Sequence, residues 1–134
     1  KTDLVELANA GHQPALLKND KEFKEFPSSS VPLAVTKHKD ENVYKLENFK
    51  LNGGRIYCFT DGFSECLDDN KQEIGINGVK ELITKHQNSS LKRELEDATE
   101  EIRLKSLKKG SVEKGIKENN DILDDDLTII GIGK

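Results

Sequence analysis

Residues 57–65 have the sequence YCFTDGFSE, an apolar run that stops at an aspartate followed by a glycine. Such a run predicts a buried strand that ends at the edge of a sheet, where the next residues project into a cleft. Gly62 would allow the backbone to turn sharply there. Asp61 therefore occupies a position from which its carboxylate could bind a ligand. The alternative is that Asp61 only caps a turn, which is a common role for aspartate.

Residues 124–130, DDDLTII, have the inverse order, because three aspartates lead into an apolar strand. If this strand lies beside the strand that ends at Thr60, the two strand ends bring their carboxylates together. Carboxylate oxygens suit hard divalent cations such as Mg²⁺ and Mn²⁺. The alternative is that the acidic cluster is a solvated loop.

The composition favours one soluble domain, since 134 residues can bury a core and no apolar run approaches the roughly 20 residues of a membrane helix. The 21 basic and 25 acidic residues give a net charge of −4, and the scattered basic residues argue against nucleic acid as a partner. Cys58 and Cys66 are too few for a disulfide framework, which favours a reducing cytoplasm. The chain begins with Lys1 and contains no Met, so we expect it to be a piece of a longer protein.

Short apolar segments separated by glycine, proline or asparagine predict that the first half of the chain is mostly sheet. Residues 4–8 and a strand that starts at Pro14 are expected to form a hairpin around the turn at residues 9–12. The charged segment at residues 18–30 ends in Pro27-Ser28-Ser29-Ser30, which predicts an exposed turn rather than a domain boundary. The other predicted strands lie at residues 33–36, 43–46 and 55–60, the last of them after a turn at residues 52–54.

The second half of the chain has helical periodicity. Val79, Leu82 and Ile83 predict a short amphipathic helix. A longer helix is expected to begin at the cap candidates Ser89 or Ser90 and to stop at Gly110. Residues 108–126 predict a loop. The strands of the first half and the helices of the second half together predict the α+β fold class. The apolar face of the longer helix is expected to pack in the core, with a homodimer surface as the alternative; it consists of Leu91, Leu95, Ala98 and Ile102.

Four segments occur in an order and approximate spacing that resemble the PPM-type metal-dependent serine/threonine protein phosphatases, in the bacterial SpoIIE/RsbU branch. They are NAGHQPALL at residues 9–17, PLAV at 32–35, TDGFSE at 60–65 and DDLT at 125–128. The resemblance implies an α-β-β-α sandwich, in which two packed antiparallel sheets are flanked by helices. Residues 1–134 would be the C-terminal portion of a single domain whose N-terminal half is absent from this chain. Ala34, where glycine is usual, and the lysine-rich residues 105–117 depart from the family pattern.

The resemblance also implies a site with two Mn²⁺ or Mg²⁺ ions. Asp61 and Asp125 would share one ion with an aspartate from the N-terminal half of the domain. Such ions can activate water for in-line attack on a phosphoryl group, so no serine or cysteine nucleophile is needed. We expect residues 1–134 alone to be inactive, because they carry only two of these carboxylates.

Other residues of the four segments are expected to support the site. Gly62, Glu65 and Asp126 would lie around the metal ligands without touching the metal. Asn9, Gly11 and His12 would form a structural turn; the alternative for His12 is a general acid that protonates the leaving group.

The function implied by the resemblance is the hydrolysis of phosphoserine or phosphothreonine on a bacterial regulatory protein, in particular a STAS-type anti-anti-sigma factor. The alternative is a degenerate phosphatase-like module that binds a partner or transmits a signal without catalysis. An upstream sensor or regulatory domain in the same polypeptide is expected. The expected location is the cytoplasm, either as a free protein or as the cytoplasmic end of a membrane-anchored sensor.

Overall fold

A computed structural model describes residues 3–20, 22–32, 34–35, 44–113 and 126–133. The chain divides into two compact units, Lys1–Cys58 with Gly131–Lys134, and Phe59–Ile130. The strands among the described residues are β1 (Leu4–Leu7), β2 (Ala15–Asn19), β3 (Glu22–Phe26), β4 (Glu47–Lys50), β5 (Arg55–Phe59) and β6 (Ile129–Ile132). The helices are α1 (Asp61–Ser64), α2 (Gly75–Lys85) and α3 (Leu91–Glu113).

The strands form two sheets. In the smaller sheet β1 pairs with β4 in antiparallel fashion. The larger sheet has the order β3-β2-β5-β6, and β2 is antiparallel to both β3 and β5. Two antiparallel sheets with three helices confirm the α+β class that the sequence predicts.

The core of the first unit lies between these two sheets. Leu17 and Ile56 from the larger sheet are buried, and Leu7 from the smaller sheet packs against their cluster. Phe26 of β3 and Phe49 of β4 stack with their ring centroids 4.5 Å apart. Burial of a side chain of this size contributes about 2 kcal/mol. Burial of these apolar side chains therefore holds the two sheets together.

The predicted hairpin of the first two strands is wrong, because β1 and β2 belong to different sheets. The turn at residues 9–12 exists, but it carries the chain from one sheet to the other. The strand in the charged residues before the predicted turn is not expected from the sequence, since these residues contain the end of β2 and all of β3. Pro27, Ser28 and Ser29 are exposed, as expected of the turn. β3 has the sequence EFKEF, in which charged residues face solvent and Phe26 is buried.

Two further predicted strands also require correction. Ala34 has a φ of +65°, which a strand does not allow, and Val35 N donates to Pro32 O over 3.4 Å in a turn. Leu33 and Thr36 lie outside the described residues. The strand predicted at residues 43–46 is found four residues later, as β4.

The helices of the second unit follow the apolar periodicity closely. Val79, Leu82 and Ile83 of α2 are buried, as predicted. Helix α3 begins after Ser90, whose Oγ accepts a hydrogen bond from Arg93 N over 3.4 Å. The cap prediction is thereby confirmed. None of the helices among the described residues has the length and apolar character that a membrane crossing requires.

The predicted end of α3 is wrong, since the helix continues through Gly110 to Glu113. A single glycine costs a helix only about 1 kcal/mol, which does not suffice to stop it. The loop predicted for residues 108–126 is therefore helical at its start, and its residues 114–125 lie outside the described part of the chain.

Candidate functional site

The corner after β5 is the centre of the candidate site. The buried residues Ile56, Tyr57 and Phe59 form the strand that the sequence predicts, and Thr60 is still extended, with φ −76° and ψ 161°. Helix α1 begins at Asp61 without a loop between strand and helix. Glu65 N closes this turn by donating to Asp61 O over 2.8 Å. The exposed Asp61 carboxylate thus lies on the first turn of a helix, held by a buried strand.

Hydrogen bonds join this corner to the residues that lead into β6. The Thr60 hydroxyl donates to Asp126 O over 2.7 Å and accepts from Thr128 N over 3.0 Å. Thr60 N donates to Thr128 O, also over 3.0 Å. Since β5 and β6 are neighbours in the larger sheet, the two strand ends that carry aspartates in the sequence lie side by side.

Gly62 allows the close approach of these two segments. A Cβ atom at this position would lie 2.8 Å from Asp126 O and 3.1 Å from a methyl carbon of Leu127. The distance to the carbonyl oxygen is shorter than real Cβ contacts, and the oxygen belongs to backbone that cannot swing away. Gly62 is therefore needed for space, whereas the sequence suggests that it is needed for a sharp turn.

The predicted metal ligands are only partly within the described residues. Asp61 is described and exposed, while Asp125 lies outside the described part. Asp126 is described, and its carbonyl group holds the Thr60 hydroxyl. Within the described ranges no three His, Cys, Asp or Glu side chains converge on a point that could hold a metal ion. The joint ligation by Asp61 and Asp125 stays a prediction.

The described corner nevertheless fits a hard cation. A short carboxylate next to a strand end, exposed to solvent and beside the end of an acidic segment, provides oxygen donors of the type that Mg²⁺ and Mn²⁺ prefer. Asp61 would hold the ion from the β5 side. The segment that ends at Asp126 would approach it from the β6 side.

The turn after β1 is held by the side chain of Asn9. Its amide nitrogen donates to Gln13 O over 3.0 Å and to Phe26 O over 3.1 Å, and its amide oxygen accepts from His12 N over 3.1 Å. The exposed His12 ring lies with Nδ1 3.1 Å from Gln13 O. These contacts are local to the first unit and build the turn.

Gly11 occupies a position that only glycine suits. Its φ is +78°, and a Cβ atom there would lie 2.2 Å from Cγ of Pro32. Gly11 N also donates to Ser28 Oγ over 2.6 Å. Any side chain at this position would strain the backbone and displace the proline ring.

The two thiols have surroundings that suit packing. Burial raises the pKa of the Cys58 thiol, which disfavours the thiolate form that a nucleophile needs. Cys66 is buried, and its thiol donates to Leu67 O over 3.7 Å. The raised pKa makes Cys58 a poor candidate for an activated nucleophile.

Sequence reasoning missed the role of Thr60 at the corner. Thr60 directly precedes Asp61 and Thr128 follows Asp126 by two positions, so both lie near acidic residues at a strand end. Sequence reasoning also missed the ion cluster between α2 and α3, in which Glu101 contacts Lys85, His86 and Lys105 at 2.6, 2.7 and 3.1 Å. Neither group can be found from the sequence without knowing which elements are neighbours.

Comparison with known proteins agrees with the family resemblance that the four sequence segments indicate. The family model described as Stage II sporulation protein E (SpoIIE) matches residues 1–133. No curated protein and no solved structure matches the chain significantly. Because the family match covers nearly every residue, the corner at Asp61 and the acidic segment before β6 fall within it. The chain belongs to the SpoIIE family.

Proposed function

We propose that this chain contributes to a metal-dependent protein phosphatase that hydrolyses phosphoserine or phosphothreonine on a regulatory protein. Membership of the SpoIIE family suggests a PPM-type phosphatase domain. The finer assignment of the substrate to a STAS-type anti-anti-sigma factor is part of the proposal. So are a cytoplasmic location, which suits Cys58 and Cys66 because they form no disulfide, and a regulatory domain elsewhere in the polypeptide.

One observation carries the proposal: the hydrogen bond from the Thr60 hydroxyl to Asp126 O. It holds the Asp61 corner beside the end of the acidic segment, as a shared metal site needs. Residues 66 positions apart in the sequence are brought together there. A turn-capping role for Asp61 alone would need no such neighbour.

The residues of this chain would bind and orient. When bound, two Mn²⁺ or Mg²⁺ ions supply a water of lowered pKa and positive charge for the phosphoryl oxygens. Asp61 and Asp125 would hold one ion from the two strand ends, together with an aspartate that the family resemblance places N-terminal to these segments. We therefore propose that residues 1–134 by themselves hydrolyse little or no substrate.

The experiment is an assay of phosphate release by the full-length protein. The substrates are a phosphoserine-bearing STAS protein and p-nitrophenyl phosphate, each with Mn²⁺ and with EDTA. We expect release that needs the metal and that is lost in Asp61→Asn. A folded protein that binds the phosphorylated STAS protein and releases no phosphate from either substrate would favour the alternative, a binding module without catalysis.

A further inference from the structure

We propose that Thr60 is a positioning residue, whose hydroxyl fixes the Asp61 corner against the backbone of Asp126. Asp61, held in this way, would present its carboxylate to a divalent cation. The inference rests on the proposed function, because it takes Asp61 as a metal ligand.

The first argument is the use that the structure makes of the hydroxyl. Thr60 occupies the position before the first residue of α1, where a threonine side chain ordinarily accepts a hydrogen bond from its own helix. Here the side chain makes no such bond. The Thr60 hydroxyl instead donates to Asp126 O over 2.7 Å and accepts from Thr128 N over 3.0 Å. One hydroxyl has the hydrogen and the lone pair for both bonds.

The second argument is the closeness of the two segments. Gly62 leaves no room for a methyl group, since a Cβ atom would lie 2.8 Å from Asp126 O. The hydroxyl and the amide of Thr60 both donate hydrogen bonds across this close contact, to Asp126 O and Thr128 O. The stiff χ1 of a β-branched residue keeps the hydroxyl in place.

The consequence concerns metal affinity. Ligand carboxylates must be held within about 0.5 Å of their productive positions, and the residues that hold them typically affect metal affinity by about 10- to 100-fold. Thr60 is joined directly to Asp61 in the chain and reaches the opposite strand through its side chain. Loss of its hydroxyl should therefore weaken metal binding while every carboxylate is retained.

The test compares Thr60→Val, Thr60→Ser and Thr99→Val in the full-length protein. Valine keeps the shape of threonine and removes the hydroxyl, and serine keeps the hydroxyl. Thr99 is the matched control, because its hydroxyl donates over 2.8 Å to Leu95 O within α3. The readouts are the Mn²⁺ dissociation constant from calorimetry and the hydrogen exchange rate of the Thr128 amide.

We expect Thr60→Val to weaken Mn²⁺ binding about tenfold or more and to speed exchange at Thr128, since that amide loses its acceptor. Thr60→Ser should stay close to the unaltered protein. Thr99→Val should leave both readouts unchanged. A merely structural role for Thr60 would lower the melting temperature without moving the dissociation constant.

Unchanged Mn²⁺ affinity in a folded Thr60→Val protein overturns the inference and leaves the proposed function standing. If the unaltered full-length protein binds no Mn²⁺, the proposed function fails, and the inference fails with it. If Thr60→Val does not fold, Gly62→Ala tests the same close contact between the two segments, because it keeps the hydroxyl and forces the segments apart. Unchanged affinity in that variant overturns the inference as well.

Discussion

Thr60 and Asp126 are joined by a hydrogen bond of 2.7 Å from the threonine hydroxyl to the aspartate carbonyl oxygen. The bond connects the end of β5 with the residues that lead into β6. It places the exposed Asp61, which follows Thr60, beside the end of an acidic segment. The order of the strands in the larger sheet therefore places the Asp61 corner beside the backbone of Asp126.

Replacement of Asp61 or Asp125 by asparagine should abolish the metal-dependent phosphatase activity of the full-length protein. Each change keeps size and most hydrogen bonds but removes one charge from the proposed metal site. Phosphate release and the circular dichroism spectrum are to be measured together. Asp97→Asn, at an exposed position of α3, is the matched control and should keep full activity. Full activity in Asp61→Asn would remove the mechanism.

Residues 1–134 alone should bind Mg²⁺ or Mn²⁺ more weakly than micromolar. Affinity for hard cations follows the number of charged ligands and the rigidity of the site, and this stretch supplies at most two of the proposed ligand carboxylates. Isothermal titration calorimetry measures the dissociation constant directly. Micromolar or tighter binding would contradict the proposed ligand set.

His12→Ala should lower stability slightly and leave turnover intact. The exposed ring lies near the backbone oxygen of Gln13, and loss of this contact costs about 1 kcal/mol or less. Asn9→Ala should cost more, about 1–3 kcal/mol, because three hydrogen bonds of the turn depend on that amide. Denaturant unfolding and phosphate release are the measurements. A folded His12→Ala protein that binds metal normally but has lost turnover would assign His12 to proton transfer.

The ion cluster at Glu101 should make stability depend on acidity. Burial on its own raises the pKa of Glu101, but the hydrogen bonds from Lys85, His86 and Lys105 outweigh it and hold the pKa at about 2. Because the ordinary value is 4.5, the unfolded chain binds this proton first as the pH falls. The ionised Glu101 contributes at most about 3 kcal/mol to the free energy of unfolding. This contribution is present above pH 4.5 and is lost as the pH falls from 4.5 to about 2.

The measurement for this cluster is the unfolding free energy of the protein and of Glu101→Gln at several pH values. The difference between them should be largest near neutral pH and should shrink as the pH falls through 4.5 towards 2. Glu96→Gln is the control on the same helix, since the exposed pair of Glu96 with Lys92 spans 3.6 Å and contributes little. A difference for Glu101→Gln that does not change with pH would refute this account of the cluster.

The sequence predicts those elements whose periodicity is strong. After Arg55, β5 is a continuous run of apolar and β-branched or aromatic residues, and α2 has buried positions at helical spacing, so both are found where expected. The sequence does not predict β3, because Phe23 and Phe26 are three residues apart and this spacing breaks the alternation that indicates a strand. Three of its five residues are charged and face solvent, so the segment resembles a loop.

Strand pairing and long-range bonds are beyond local sequence patterns. The turn at Asn9 shows that the chain changes direction, but it does not show that β1 pairs with β4, whose partner residues lie 40 to 46 positions away. The positive φ of Ala34 is imposed by its surroundings against the preference of alanine. The position of Asp61 could be predicted, since a strand end is a local feature. Its connection through Thr60 to Asp126 could not.

The most direct measurement is a crystal structure of the full-length protein with Mn²⁺, in which anomalous scattering locates the ions. The account predicts that carboxylate oxygens of Asp61 and Asp125 bind the same ion at about 2.0 to 2.6 Å. The Thr60 hydroxyl should still donate to Asp126 O in that structure. Asp61 and Asp125 carboxylates that lie more than about 8 Å apart on a folded protein, or an ion bound elsewhere, would contradict the account, because ligand oxygens of one ion cannot be that distant.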